Sequence, residues 1–235
     1  GVGSDGMDDR GRITDNRGKA RANRGSSKMN NRQHQPPPFG VIFDMDGVLV
    51  DSADAHWESW RRLGDENGVS VNREQFISTF GRPSNDIIPV LFGEVSSTKT
   101  QALSERKETI YRDLIRDHLP IVAGAADLVL SLRAAGVALA LGSSGPRDNI
   151  DLVLRAMGVA DAITVIVSSQ DVTRGKPDPQ VFELSARRLG MPPEQCIVIE
   201  DAPVGIEAAK AAGARAVAVL IYHPRQSFVQ ADLTV

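Results

Sequence analysis

Two aspartates, Asp44 and Asp46, directly follow the apolar residues 41–43, and Gly47 stands immediately behind them. An apolar run of this kind is typical of a buried strand, whereas ionised carboxylates leave water only where a cation or hydrogen bonds offset their charge. The pair therefore predicts a site that uses both carboxylates in chemistry. One aspartate can attack phosphorus to form an aspartyl phosphate, and the second can pass a proton to the leaving oxygen and later take one from water.

Polar side chains also stand at the ends of three later apolar runs. "VALALGSS" ends in Ser143 and Ser144, the loop after "ITVIVSS" contains Lys176, and "CIVIED" ends in Glu200 and Asp201. Clustered carboxylates stay ionised together only beside a cation, and oxygen ligands near phosphate favour Mg2+. A lysine and hydroxyl groups next to that ion are suited to hold phosphoryl oxygens. Each motif alone is more typical of a turn, a loop or a helix start, but their joint occurrence at four strand ends predicts one phosphoryl-transfer site.

The order of the surrounding elements explains how these groups can meet. From residue 39 onward, apolar strand-like runs alternate with helical patterns, except between residues 54 and 121, where only helical patterns occur. Such alternation predicts a parallel sheet with helices on both faces, and ligands of these sheets bind beyond the carboxyl ends of the strands. The sequence therefore predicts an α/β fold with an all-helical insertion.

Composition narrows the class of protein further. The 235 residues allow one large domain or a domain with an insertion, and the net charge of −3 gives no reason to expect a nucleic-acid partner. The single cysteine, Cys196, lies in an apolar run and is predicted to be a core residue. We find no apolar stretch long enough for a transmembrane helix and no secretory signal, so we expect no membrane partner and a cytoplasmic location. A monomer is the default expectation for the oligomeric state.

Residues 1–38 differ in composition from the rest of the chain. They contain eight basic and four acidic residues but no aromatic residue. Such a segment cannot bury enough apolar surface to offset the entropy of ordering, so we predict a disordered basic extension. A basic arm that binds RNA or another polyanion is the alternative, and the lack of aromatic residues among the charges weighs against it.

The motifs together resemble those of the haloacid dehalogenase superfamily, in the branch that carries a small helical cap after the first motif. "DMDGVLVDS" is similar to the first motif, "RGKPDPQVF" to the third and "IEDAPVGIEAAKAAG" to the fourth. The resemblance implies that Asp44 is the nucleophile and Asp46 the acid/base. It also implies that the hydroxyl of Ser143 and the amine of Lys176 bind the phosphate.

The resemblance further implies a metal site and a domain organisation. Asp44, the main-chain carbonyl of Asp46, Glu200 and Asp201 would surround Mg2+. Haloalkanoate dehalogenases of this superfamily need neither an aspartate at the position of Asp46 nor the metal, so the full acidic set indicates phosphoryl transfer.

The implied fold is a Rossmann-like three-layer parallel-sheet core with an all-helical cap domain. The core would comprise residues 39–53 and 123–235, and the cap residues 54–122. The cap would close over the site, exclude water and choose the substrate. Its hinges would lie near residues 52–54 and 122–124.

Two residues of the cap are candidates for substrate contacts. His56 follows the first hinge, where a histidine of similar beta-phosphoglucomutases engages the acid/base, and sugar phosphatases of the same branch often have it too. Arg82, in "FGRPSND", is placed to reach a distal anion of the substrate, although a surface arginine fits the pattern equally well. Trp57 and Trp60 are predicted to be cap core.

The sequence leaves two further functions open beside a phosphatase of small phosphorylated metabolites. A beta-phosphoglucomutase-like enzyme must bind a second phosphate, but its cap lysine falls on Asp113 and its cap arginine on Ser84, which counts against this function. A non-catalytic metabolite-binding module is the third possibility, and the complete catalytic set gives it little support. Ala202 replaces a serine common in the family, and we expect metal binding to survive this change.

Overall fold

The computed structural model describes residues 39–79 and 81–235, and the predicted basic extension lies outside them. A six-stranded parallel sheet in this part of the chain has the order β3-β2-β1-β4-β5-β6. The strands are β1 (Gly40–Phe43), β2 (Ala138–Gly142), β3 (Val165–Val167), β4 (Cys196–Glu200), β5 (Arg215–Ala218) and β6 (Leu233–Thr234). From β1 the chain adds β2 and β3 on one side and then β4 to β6 on the other, so the strand order reverses between β1 and β4. Open sheets of this kind bind ligands at such a switch point.

Eight α-helices accompany the strands in the described residues. The first five lie between β1 and β2, and the first four of these form the insertion. The eight helices are α1 (Ala53–Asn67), α2 (Arg73–Thr79), α3 (Ser84–Phe92), α4 (Ser97–Ile115), α5 (Ala125–Ala134), α6 (Arg147–Ala156), α7 (Gln180–Leu189) and α8 (Pro203–Ala211). The predicted α/β class and the helical insertion are therefore confirmed. None of these helices is both long and apolar enough to cross a membrane.

Strand β1 is buried on both sides because helices cover both faces of the sheet. Val41 and Phe43 point into one apolar cluster, which includes Val129 of α5, and Ile42 points into the opposite cluster, which includes Phe182 of α7. Residues of a strand alternate between the faces, so an uninterrupted apolar run places a core on each side. This burial holds the end of β1 at a defined position.

The inserted helices have an apolar cluster of their own. Trp60, Leu63, Phe76 and Ile88 belong to it, and Trp57 packs against it. Trp60 is a buried core residue, as predicted, whereas Trp57 is only partly buried at the edge of this core. The largest set of contacts within the insertion joins α1 to α4.

Two connections between the insertion and the sheet run side by side. The backbone N–H of Val122 donates to the carbonyl of Leu49 at 3.0 Å, and that of Asp51 donates to Pro120 at 2.7 Å. The hydroxyl of Tyr222 receives a hydrogen bond from the N–H of Ala53 at 3.2 Å and donates to the Asp51 carboxylate. Both predicted hinges therefore lie beside this pair of connections.

One strand boundary and one additional strand differ from the sequence prediction. β1 ends at Phe43 rather than at Asp46, because Leu49 and Val50 both donate backbone hydrogen bonds to the carbonyl of Met45 and curl the chain away from the sheet. Strand β6 was not predicted. Its two residues follow Asp232, whose carboxylate accepts the N–H of Ala216, so tertiary contacts place this strand beside β5.

Candidate active site

The carboxylates at the ends of β1 and β4 meet at the point where the strand order reverses. One oxygen each of Asp44, Glu200 and Asp201 lie within 4.8 Å of one another, and all three residues are buried. The two strands are neighbours with Phe43 opposite Ile199, so their next residues come out at the same edge. The predicted convergence of these side chains is therefore present in the structure.

Lys176 neutralises part of this negative charge. Its buried Nζ donates to Asp44 Oδ1 and to Glu200 Oε1, both at 2.7 Å, and lies 5.0 Å from the ring centre of Phe182. Burial lowers the pKa of the Lys176 amine, but the two carboxylates outweigh it and hold this pKa above the ordinary value. Burial raises the pKa of Asp44 to about 7 although Lys176 opposes the shift, so one ammonium group does not suffice for the cluster.

Asp201 shows that the cluster fits a cation. Its Oδ2 is buried without a hydrogen-bond partner among the described residues. Burial and the charge of Glu200 raise its pKa well above the ordinary value. A buried acceptor without a donor is costly, and a divalent ion bound to oxygen ligands would remove the cost.

Two glycines provide the space that these carboxylates occupy. A Cβ atom on Gly47, whose φ is 76°, would lie 1.8 Å from Asp201 Oδ2, and one on Gly205 would lie 1.8 Å from Glu200 Oε1. A side chain at either position would displace the acidic cluster. Both Glu200 oxygens are already engaged, because Oε2 accepts the N–H of Ala202 at 2.7 Å and Oε1 accepts Lys176. Glu200 therefore orients the amine of Lys176.

The serines after β2 line the same pocket as the two aspartates. Ser143 is buried, and its Oγ accepts the N–H of Gly145 at 3.0 Å. Ser144 also lines this pocket, and Arg82 is an exposed residue at its wall. Of the predicted site residues, the pocket is lined by both aspartates, both serines, His56 and Arg82. Lys176, Glu200 and Asp201 lie behind Asp44 in the acidic cluster rather than in the pocket lining.

Asp46 has different surroundings from Asp44. Its Oδ1 accepts hydrogen bonds from Ser52 Oγ at 2.6 Å and from Tyr111 Oη at 3.3 Å, and lies 3.1 Å from His56 Nε2. Burial raises the pKa of Asp46, but His56 and Ser52 outweigh burial and lower this pKa to about 2. The carboxylate is therefore held by groups that approach it from α1 and α4.

The sequence reasoning missed Lys107, which completes this network. Its buried Nζ lies 2.7 Å from His56 Nδ1, and the His56 ring stacks on Tyr111 with 3.9 Å between ring centres. An ammonium group has donor hydrogens only, so His56 accepts at Nδ1 and its Nε2–H faces Asp46. The resulting chain of contacts runs from Lys107 through His56 to Asp46.

This contact corrects one expectation from the sequence. Asp113 was assigned to the position of a mutase cap lysine, but Asp113 is exposed and pairs with Arg116, whereas Lys107 of the same helix faces the site. A signal was present, because Leu103, Lys107 and Ile110 share one face of a helix and the other two are apolar. A charged residue on an apolar helix face indicates a partner inside the fold.

Glu108 adds a second buried charge that the sequence did not single out. Its Oε1 accepts from Ser84 Oγ at 2.6 Å and from Lys107 Nζ at 3.0 Å, and its Oε2 accepts from Asn149 Nδ2 at 2.7 Å. Arg112 donates to Asn149 Oδ1 at 2.9 Å. Because Asn149 belongs to α6, these bonds join the inserted helices to the sheet domain.

Comparison with known proteins agrees with this geometry. The family described as haloacid dehalogenase-like hydrolase matches residues 41–219. The chain belongs to this family. The match spans both the sheet and the inserted helices, so the resemblance seen in the motifs is confirmed.

Among haloacid dehalogenase-like hydrolases, relatives of known activity are similar to the chain over most of its length. Validoxylamine A 7'-phosphate phosphatase of Streptomyces hygroscopicus subsp. limoneus is 32% identical over 196 residues, which cover 82% of this chain and 91% of the relative. Beta-phosphoglucomutase of Bacillus subtilis is 31% identical over 203 residues, with coverages of 83% and 88%. The crystal structure of a beta-phosphoglucomutase from Clostridium difficile superimposes with a TM-score of 0.76 at 27% identity, covering 83% of this chain and 89% of that one.

Proposed function

We propose that this hydrolase is a Mg2+-dependent phosphatase of a small phosphorylated metabolite, such as a sugar or polyol phosphate or a phosphoglycolate-like acid. The observation that carries the proposal is the contrast between two carboxylates two residues apart. Asp44 lies against Lys176 in the acidic cluster, whereas Asp46 is held by Ser52 and His56. This division supports one carboxylate as nucleophile and the other as acid and base.

The reaction proceeds through an aspartyl phosphate. Asp44 attacks phosphorus and forms a P–O bond while the bond to the leaving oxygen breaks, and Asp46 supplies the proton that this oxygen takes up. In the second step, Asp46 takes a proton from water, the water oxygen attacks phosphorus, and Asp44 is released together with inorganic phosphate. Lys176 and the hydroxyls of Ser143 and Ser144 hold the phosphoryl oxygens.

Mg2+ is the cofactor that suits the donor set. Asp44, Asp201 and the main-chain carbonyl of Asp46 would hold it, with Glu200 beside them. The bound ion would neutralise charge on the carboxylates and on the phosphoryl group. The unpartnered oxygen of Asp201 and the oxygen-only ligands support this choice.

The inserted helices form the cap of this enzyme in our proposal. Their separate apolar cluster and the paired connections support a cap of residues 54–122 on a core of residues 39–53 and 123–235. Closure of the cap excludes water while the aspartyl phosphate forms. A cytoplasmic location, a monomeric state and the lack of a nucleic-acid partner remain predictions from composition.

A beta-phosphoglucomutase activity is the second candidate, and two observations favour it. Lys107 contacts His56 in the cap, and the fold superimposes on a beta-phosphoglucomutase. Against it, Ser84 stands where a cap arginine would bind the second phosphate, and Ser84 donates to the carboxylate of Glu108. One assay separates the two functions, because beta-glucose 1-phosphate yields free phosphate with a phosphatase and glucose 6-phosphate with a mutase.

The role of Asp44 is tested by the variant Asp44→Asn. We expect complete loss of phosphate release from p-nitrophenyl phosphate with Mg2+, because the amide cannot form the aspartyl phosphate. Asp127→Asn makes the same change at an exposed position of α5 and is expected to keep wild-type turnover. Turnover by a folded Asp44→Asn variant would eliminate the proposed mechanism.

A further inference from the structure

Glu108 stands at the junction of two spaces between the inserted helices and the sheet domain. With Ser84 and Ser144, it lines both the inner pocket that contains Asp44 and Asp46 and an outer cleft of about 710 Å³. A cleft of this volume is in the range of small-molecule sites. A substrate that extends from its reacting phosphate into the outer cleft passes Glu108.

The hydrogen bonds of Glu108 leave it able to accept one more. A carboxylate offers about four acceptor sites, and three are taken by Ser84, Lys107 and Asn149. Burial raises the pKa of Glu108, but Lys107, His56 and the hydrogen bond from Ser84 outweigh burial and lower it. The side chain thus presents an ionised acceptor to the cleft, which a hydroxyl satisfies and an anion does not.

The lining of the outer cleft likewise suits a hydroxylated group better than an anion. Both arginines of this lining are engaged, Arg112 with Asn149 and Arg174 with Asp178. Hydroxyl and amide side chains supply most of its remaining polar groups. The four carboxylates of the lining are Asp86, Glu105, Glu108 and Asp148.

We propose that Glu108 is a specificity-determining residue, which accepts a hydrogen bond from a hydroxyl of the leaving group and repels a second anion. The inference rests on the proposed phosphatase function and narrows its substrates to monophosphates of neutral, polyhydroxylated alcohols. Phosphorylated acids and bisphosphates are poor substrates, because their second anion meets a buried carboxylate. Exposed Arg82 lines the inner pocket and would act in the opposite direction if it bound that anion.

The test compares two substrates that differ only at the end remote from the phosphate. Sorbitol 6-phosphate carries a hydroxymethyl group where 6-phosphogluconate carries a carboxylate, and p-nitrophenyl phosphate reports on the chemical step alone. We expect the wild-type kcat/KM to be about tenfold or more higher for sorbitol 6-phosphate, and we expect Glu108→Gln to reduce that ratio about tenfold, which corresponds to about 1.4 kcal/mol. Glu94→Gln, the same change at an exposed position, should leave the ratio unchanged.

A second variant guards against a folding defect in Glu108→Gln. Ser84→Lys keeps Glu108 and adds a cation beside it, so the ratio should fall in the same direction. The inference is overturned, and the proposed function retained, by a wild-type ratio near or below one, by hydrolysis of p-nitrophenyl phosphate alone, or by an unchanged ratio in folded Glu108→Gln and Ser84→Lys. Failure of the wild type to release phosphate from any of the three compounds overturns the proposed function and this inference with it.

Discussion

At the scale of single residues, the surroundings of two aspartates set their chemistry. Burial and neighbouring carboxylates act on Asp44, whereas hydrogen bonds from Ser52 and His56 hold Asp46. The low pKa of Asp46 keeps this carboxylate ionised, as a base that takes a proton from water must be, and the raised pKa of Asp44 reflects negative charge that a bound cation would offset. The assignment of the two roles therefore rests on the contacts of the two side chains rather than on their pKa values. In the proposed mechanism His56 acts through its contact with Asp46, which makes it a positioning residue.

His56→Ala tests this positioning role. We expect kcat/KM for an alkyl phosphate, which reports formation of the aspartyl phosphate, to fall about 10²-fold, the lower end of the range for general acid–base catalysis, because Asp46 loses the group that orients it. With p-nitrophenyl phosphate the loss should be much smaller, since its phenolate leaves without a proton. His118→Ala, at an exposed position after α4, serves as the control. Equal losses on both substrates would contradict the assignment.

At the scale of elements, helix α4 carries charges on a face that packs against α1. Lys107 is buried there and lies 5.3 Å from the ring centre of Trp60. The adjacent Glu108 is also buried and pairs with Lys107, but its other hydrogen bonds go to Ser84 and Asn149. A helix face of this kind is stable only while its charges stay paired, because breaking a buried pair leaves one charge without compensation.

Lys107→Met tests this dependence, since methionine fills a similar volume without the charge. We expect the free energy of unfolding to fall by about 3–5 kcal/mol, because Glu108 keeps its negative charge in a buried site. Urea unfolding measures the change. Lys99→Met, an exposed position of the same helix, should cost less than about 1 kcal/mol. Equal stabilities of the two variants would show that the buried pair does not support α4.

At the scale of the whole molecule, the proposed Mg2+ site predicts that stability depends on the metal. A ligand that binds only the folded state stabilises it by about 2.7 kcal/mol at one hundred times its Kd. For a chain of this size that energy raises Tm by about 5–10 °C. Mg2+ should therefore raise the Tm of the wild type.

Asp201→Asn separates this coupling from a general salt effect. The variant should melt a few degrees higher than the wild type without Mg2+, because a buried and unpartnered carboxylate oxygen is removed. It should also lose most of the rise in Tm that Mg2+ causes, whereas Asp127→Asn should keep it. Differential scanning calorimetry with Mg2+ and with a chelator measures both effects. A rise in Tm that both variants share equally would contradict a metal site at Asp201.

The sequence by itself determined the fold class and the residues at the strand ends. Asp44, Ser143, Lys176 and Asp201 each follow an apolar run, and a parallel sheet brings the carboxyl ends of its strands to one edge. Local patterns were sufficient here, because strand direction and order already imply the convergence. The separation of 132 positions in sequence between Asp44 and Lys176 did not obscure it.

Only the tertiary structure decided the contacts made by the inserted helices. Lys107 and Tyr111 reach His56 and Asp46 because α4 packs on α1 with one particular face and at one particular axial position. Helical periodicity predicts the face. The axial position of α4 against α1 depends on how the apolar side chains of both helices interlock, and no local pattern encodes it. The contact of Lys107 with His56 and the burial of Glu108 therefore became visible only in the packed structure.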